Sequence, residues 1–422
     1  MAKNQTISAL DIGSSKITTL IAQVSVSPVN YETEVSVIAA ASTPSKGIKK
    51  GQIVNIEEAV ECIITSIESA ERMAGFNIES AFISVGGAHV ASQNSTGVVA
   101  VGDPHGEVTA NDVSRVLQAA RAVTIPTARQ IIHVIPREYV VDGERGVRDP
   151  VGMSGVRLEV DTHLVTVSSA ALKNVTRAVN EVGIRIQDTI FSGIASSVAT
   201  VSETEKELGC CVIDIGAGTT SIAAYVDGAL SYTGALPVGA RNVTNDLAIG
   251  LRVSLDTAES LKMSLGSKTV RMDKDSKDQI EITETGSTEI KKVARRTLTD
   301  GIVRPRLSEI FNLTRIELEK AGVLHRIPSG VILTGGGALT IGAEETARKT
   351  FSLPVRLGSP TGVVGLVDDI MTPEYATAVG LLLYGMSSAD FEKDQSSPVS
   401  KMKLPNSKLF SRLMSSIKDL LP

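Results

Sequence analysis

The sequence predicts an α/β protein in which one strand–turn–strand unit is used twice. DIGSSKITTLIA at 11–22 and DIGAGTTSIAAY at 214–225 share the order strand, Asp, apolar residue, Gly, small polar turn, strand, about 200 residues apart. Short apolar or alternating runs are also interleaved with amphipathic stretches at helical spacing, as α/β architectures require. At 422 residues the chain exceeds what one core usually serves, so two or more domains are expected.

Taken in order, residues 6–24 read as two strands joined by the Gly/Ser-rich turn of DIGSSK. Asn55 then precedes Ile56, Ala59, Val60, Ile63, Ile67 and Ala70 at helical spacing, with Glu58 in the first turn and Gly75 at the end, which predicts an amphipathic helix. From Ser84 to about Val160 the pattern changes to strand-like runs (FISVGG, GVVAVG, IIHVIPREYVV) around one helical stretch at Asp112–Val123, read as an inserted subdomain. A helix at Ala170–Val182 and a strand at Ile184–Ile190 lead to CCVIDIGAGTTSIAAYV at 210–226. LDTAESLKMSLG at 255–266 is helix-like, Lys268–Glu289 reads as an exposed hairpin region, and Arg304–Ala321 as a long helix. VILTGGGALTIG at 331–342 gives a strand, a triple-Gly turn and a helix start. After Gly385 the composition becomes that of a linker, SSADFEKDQSSPVSKMK.

Composition excludes several classes. Apolar residues at 42% with charged residues at 21% fit neither a disordered nor a fibrous chain. A net charge of −5, 3% aromatics and no Trp argue against a nucleic-acid partner, which needs basic surface and stacking platforms. Cys62, Cys210 and Cys211 cannot build a disulfide framework and fit a reducing cytoplasm. No stretch reads as a signal peptide or a spanning helix, so a protein neither secreted nor transmembrane is expected. His89, His105, His133, His163 and His325 have no metal-ligand spacing.

A turn that grips a polyphosphate offers backbone N–H groups, allows close approach and gains from small hydroxyls. Gly13, Ser14 and Ser15 supply this in the first turn, and Gly216, Ala217, Gly218, Thr219 and Thr220 in the second. Asp11 and Asp214 would end strands facing one cleft, suited to holding Mg2+ through its retained waters, and Lys16 would add a cation for the phosphates. A single turn of this kind is equally a plain hairpin. Two of them at domain spacing, followed by Gly335, Gly336 and Gly337 after an apolar strand, resemble the nucleotide clamp of the actin, sugar-kinase and Hsp70 superfamily. Glu259 and Lys262 lie three apart on one helix face, a surface ion pair on its own. In the superfamily such a helix resembles the one that meets ribose and adenine.

At the C-terminus, SKLFSRLMSSIKDLLP from Ser407 spaces Leu409, Phe410, Leu413, Met414, Ile417, Leu420 and Leu421 by three and four, interleaved with Lys408, Arg412 and Lys418. This is a basic amphipathic helix suited to an anionic membrane surface, where its apolar face contributes on the order of 5 to 10 kcal/mol gross. The alternative is a terminal helix packed on protein; the polar stretch Ser387–Lys403 ahead of it suits a tether better.

Further motifs narrow the resemblance. DPVGMSGVRLEV at 149–160, FSGIASSVA at 191–199 and EYATAVGLLLYG at 374–385 are similar to segments of the bacterial cell-division family FtsA, and the likeness covers nearly the whole chain. The resemblance implies an actin-like fold of duplicated ribonuclease-H-type domains. Subdomain 1A would comprise 1–83, 163–205 and 362–386, inserted subdomain 1C 84–162, subdomain 2A 206–264 and 325–361, and subdomain 2B 265–324, followed by a linker at 387–404 and a membrane-targeting helix at 405–422. It implies ATP as ligand, self-assembly into a homopolymer, other division proteins as partners, and attachment to the inner face of the cell membrane at the division site. It further implies binding of the C-terminal peptide of the tubulin-like protein FtsZ to subdomain 2B, for which Arg295, Arg296 and Arg304, flanking Leu298, Ile302 and Val303, are candidate contacts. A solvated basic face is the bland alternative for each arginine.

Hydrolysis needs a group that orients water, and near the first connecting helix the sequence offers only Ser192 and Gly193. ATP binding with slow or absent turnover is therefore expected. A small-molecule kinase and a pilus-type assembly protein would share the clamp. The first should show a catalytic Asp and no terminal basic helix, and the second should lack DPVGMSGVRLEV.

Overall fold

In the computed structural model, which describes residues 5–26, 33–266, 279–283, 290–366 and 368–395, the chain opens with β1 (Gln5–Ile12), β2 (Lys16–Val26) and β3 (Thr33–Pro44), an antiparallel meander. A small hairpin, β4 (Ile48–Lys49) and β5 (Gln52–Ile53), leads into α1 (Ile56–Ala74). The Asn55 side chain accepts the Glu58 N–H and so satisfies one of the orphan donors of the first turn. Ala59, Cys62, Ile63, Ile67 and Ala70 are buried, one stripe at helical spacing. β6 (Ser80–Val85) pairs parallel with β1.

The chain then leaves this sheet. β7 (Ala91–Ala100), α2 (Ala110–Arg121), β8 (Arg129–Val141), β9 (Glu144–Val147) and β10 (Arg157–Ser168) form a four-stranded antiparallel sheet ordered β7-β10-β8-β9. A capping box between Thr109 and Asp112 starts α2, which seals Val116 and Ala120 against Tyr139, Leu158 and Val160. α3 (Ser169–Glu181) and β11 (Arg185–Phe191) return to the first sheet, and α4 (Ser192–Thr200) and α5 (Glu203–Leu208) cross to the second half.

There the opening is repeated. β12 (Cys210–Ile215), β13 (Thr220–Val226) and β14 (Ala229–Leu236) form an antiparallel meander, followed by α6 (Ala240–Leu251), α7 (Leu255–Gly266), the pair β15 (Gln279–Thr283) and β16 (Ile290–Ala294), α8 (Arg295–Leu298), a π-turn, and α9 (Arg304–Lys320). β17 (Val331–Thr334), α10 (Ala343–Phe351) and β18 (Val355–Leu357) complete it, and β19 (Val364–Gly365), which pairs with β3 of the first sheet, and α11 (Ala376–Gln395) follow. The sheets read β11-β6-β1-β2-β3-β19 and β18-β17-β12-β13-β14. Position for position, the first five strands of one are the strands of the other. The match extends to register: Asp11 lies opposite Thr18 in the first meander and Asp214 opposite Ser221 in the second. β12 and β13 are buried along their whole length, as central strands between covered faces must be.

The described residues as far as Gly385 form one compact body. Within it the inserted sheet packs on β14: Ser92 Oγ donates to Thr233 O at 2.6 Å, and His163 Nε2 lies 3.0 Å from Thr233 Oγ1. The second unit, Met386–Pro422, is described by the helical backbone of α11 as far as Gln395. The stretch read as a linker from 387 therefore begins as helix. The remainder of that linker, the amphipathic segment 405–422 with all its named residues, and most of the hairpin region at Lys268–Glu289 lie outside the described residues. The triple-Gly segment forms a 3-10 turn at Gly336–Leu339, and the helix expected there begins only at Ala343.

Candidate functional site

The two repeated turns have the same local chemistry. Gly13 N–H donates to Lys16 O at 3.1 Å, and Gly216 N–H donates to Thr219 O at 2.9 Å. Each turn follows a strand whose penultimate residue is the aspartate, so Asp11 and Asp214 are carried to equivalent sheet ends. The turns face each other across a cavity of about 540 Å³. A Cβ placed on Gly218 would lie 3.1 Å from Ser14 Oγ of the opposite turn, which measures how closely the two approach. Gly335 at φ +80 leads the third turn, and a Cβ there would stand 2.2 Å from Asp214 Oδ1, so no other side chain fits.

Of the residues expected in the site, Asp11, Gly13, Ser14, Ser15, Lys16, Asp214, Gly216, Ala217, Gly218, Thr219, Glu259, Lys262, Gly335, Gly336 and Gly337 all line this cavity. Thr220 does not. It is fully buried and its hydroxyl donates to Val238 O at 2.9 Å, because the first residue of β13 points to the opposite face from its neighbours Thr219 and Ser221.

The aspartates carry the electrostatics. Desolvation raises the Asp11 pKa, opposed by the Ser84 hydroxyl, which donates to Oδ1 at 2.7 Å, and by Lys16. Burial pushes Asp214 up to about 6, opposed by Thr377, whose hydroxyl donates to Oδ2 at 2.9 Å, and reinforced by Asp11. Two carboxylates that resist ionisation at one cleft are relieved by a cation between them. Among the described residues no group of three or more His, Cys, Asp and Glu could enclose a metal. This donor set fits Mg2+, which keeps most of its waters and shares the rest of its shell with phosphate oxygens.

Glu259 and Lys262 form more than a surface pair. Lys262 is only 8% exposed and donates to Glu259 Oε2 at 2.8 Å, Thr244 Oγ1 at 3.0 Å and Ala240 O at 3.4 Å, tying α7 to α6 along the cavity wall. Partial burial opposes ionisation of Glu259, but hydrogen bonds from Lys262 and Thr244 bring its pKa below the usual value.

Ser84, Ser192, Ser221, Met263, Glu374 and Thr377 also line the cavity. The sequence offers Ser192 near the first connecting helix, Ser221 and Met263 adjoin the expected residues Thr220 and Lys262, and Glu374 and Thr377 fall in EYATAVGLLLYG, but none of these is among the expected site residues. Ser192 and Ser221 hydroxyls pair at 2.9 Å. Arg295, Arg296 and Arg304 are elsewhere: Arg295 donates to Leu265 O at 3.0 Å, Arg296 to Asp300 at 3.2 Å, and Arg304 pairs with Asp300 at 2.9 Å and Glu345 at 2.5 Å. Leu298 and Val303 between them are fully buried in the core of this half, so they line no open groove.

A family model described as the SHS2 domain inserted in FtsA matches residues 87–166, and one described as cell division protein FtsA matches residues 211–380. Cell division protein FtsA of Pseudomonas aeruginosa is 40% identical over 380 residues, covering 90% of this chain and 89% of that protein. Its counterpart in Escherichia coli K12 is 36% identical over 387 residues, covering 90% of each. The chain belongs to the FtsA family of cell-division proteins. The four-stranded body after β6 is accordingly the inserted SHS2 domain of FtsA. Among solved structures, the PilM–PilN type IV pilus biogenesis complex superposes with a TM-score of 0.61 at 18% identity over 91% of this chain and 99% of that one. MreB5 of Spiroplasma citri bound to ADP superposes with 0.53 at 14% identity over 93% and 99%. These likenesses establish the actin-like fold. The pilus biogenesis complex shares that fold at only 18% identity.

Proposed function

We propose that this FtsA-family chain binds ATP with Mg2+ in the cavity between its two repeated turns, polymerises, and tethers FtsZ filaments to the inner face of the cytoplasmic membrane at the division site. The observation that carries the nucleotide reading is the convergence of the turns at Gly13–Lys16, Gly216–Thr219 and Gly335–Gly337 on one cavity that also holds Asp11 and Asp214. The backbone N–H groups of the turns and Lys16 would hold phosphate oxygens, Asp11 and Asp214 would hold the waters of Mg2+, and α7 with Glu259 and Lys262 would flank the nucleoside. When bound, Mg2+ would supply charge neutralisation for the phosphates. The paired hydroxyls of Ser192 and Ser221 are poor bases, which supports slow or absent turnover. The nucleotide would then chiefly set closure of the cleft and competence to polymerise.

The membrane and FtsZ parts rest on the amphipathic pattern of 405–422 and on family membership. Co-sedimentation of the full chain with anionic liposomes and Mg-ATP, with and without the C-terminal peptide of the cognate FtsZ, tests them. Lipid-dependent pelleting that carries the peptide down, lost on removing residues from Lys403 onward, is expected. A truncated chain that still pellets with lipid would refute the tether. Charge reversal at Arg295, Arg296 and Arg304 should weaken peptide binding, and unchanged affinity would remove these residues from the interface.

A further inference from the structure

Lys16 has two partners of its own, one of them, Glu374, in the cavity wall. Its ammonium lies 3.0 Å from Glu374 Oε2 and 3.7 Å from the centroid of the Tyr375 ring. Lys16 closes the first turn through its backbone carbonyl, which fixes where its side chain starts. Glu374 is equally anchored. Pro373 O accepts from Gly335 N–H at 3.0 Å and from Thr334 Oγ1 at 3.2 Å, while Thr377 holds Asp214. Glu374 also faces the third turn, since a Cβ on Gly336 would lie 3.6 Å from its own. A carboxylate is thus built into the wall of a cavity whose other elements favour a polyanion, and it claims the ammonium best placed to meet that polyanion.

We propose that Glu374 is an affinity-setting residue of the site: it competes with the phosphates of the nucleotide for Lys16 and repels their charge, so that this chain binds ATP more weakly than its turns alone would allow. The proposal rests on the nucleotide reading given above. Both effects depend on phosphate charge, so they are largest for a triphosphate, smaller for a diphosphate and absent for a nucleoside. The Lys16–Glu374 pair is partly exposed, with side chains 27% and 41% accessible, so the effect is modest, an affinity gain of about three- to tenfold when the carboxylate is removed. Pro373–Tyr375 leads directly into α11, so transfer of Lys16 from Glu374 to phosphate would also change what holds the start of that helix.

Calorimetric titration of the full chain with Mg-ATP, Mg-ADP and adenosine tests this, comparing wild type, Glu374→Gln, Lys16→Met and the double variant. Glu374→Gln should tighten Mg-ATP by about three- to tenfold, tighten Mg-ADP less and leave adenosine unchanged. In the Lys16→Met background the gain should fall to less than half. Unchanged ATP affinity, or an equal gain for adenosine, would overturn the proposal. Weaker Mg-ATP binding in Glu374→Gln would overturn it too, by making Glu374 a metal ligand. If wild type binds ATP while the variant behaves identically, only this inference fails; if neither binds ATP, the nucleotide reading fails and takes the inference with it.

Discussion

Acid should lower the stability of the folded chain, and His163, buried between the inserted domain and β14, should carry a measurable share of the effect. His163 is 1% exposed on β10, with Nδ1 2.8 Å from Asn94 Oδ1 of β7 and Nε2 3.0 Å from Thr233 Oγ1 of β14. Burial, helped by Arg137 and His133 on β8, pushes its pKa from 6.5 down to about 3. His133, whose Nε2 accepts the Phe191 N–H at 3.1 Å, is pushed by burial to about 4. A histidine with a depressed folded pKa contributes stability that is present above the unfolded value and lost as pH falls below it. At pH 5 both rings remain neutral in the folded chain, while the unfolded chain gains their protons. The loss is then set by the distance from 6.5 to 5, about 2 kcal/mol for each ring. Glutamine at 163 retains a donor and an acceptor but does not titrate. Equilibrium urea unfolding followed by circular dichroism at pH 7.5 and 5.0 should show wild type losing about 2 kcal/mol more between the two values than His163→Gln. An equal loss in both proteins would refute a neutral buried His163.

Two further substitutions probe the cavity. Gly335→Ala places a methyl group 2.2 Å from Asp214 Oδ1 at φ +80 and should weaken Mg-ATP at least about tenfold in a fluorescence titration while the far-ultraviolet spectrum stays native. Glu259→Gln removes the charge partner of a buried ammonium, whereas Lys262→Met removes the ammonium itself. The first should lower the thermal midpoint by the equivalent of about 1–3 kcal/mol and the second by less, and the reverse order would mean that the pair contributes little to the α6–α7 packing.

The sequence made the repeated turns legible because their chemistry is local: Asp, Gly and small hydroxyls sit at fixed offsets where a strand end meets a tight turn. α1 was legible for the same reason, with Asn55, the Ile63 and Ile67 stripe and Gly75 all within one stretch. Thr220 was misplaced and Ser221 missed through a single step of strand alternation, since the turn leads into β13 and reverses the face presented at each residue. Glu374, Ser84 and Thr377 lie in EYATAVGLLLYG, FISVGG and again EYATAVGLLLYG, but nothing local in those runs points their side chains to the site. They reach Lys16, Asp11 and Asp214 only through sheet pairing and the return of the chain at α11, contacts separated by 358, 73 and 163 residues. Leu298 and Val303 read as an apolar groove because they follow basic residues, but α8 and the π-turn direct them to the same core as Leu307 and Phe311.

A structure of the full chain with Mg2+ and a non-hydrolysable ATP analogue tests the central claim most directly. The account predicts triphosphate density between Gly13–Lys16 and Gly216–Thr219, a hydrated metal beside Asp11 and Asp214, and the nucleoside between α7 and the Gly335–Gly337 turn. Nucleotide bound elsewhere, or none bound at saturating concentration, would contradict it.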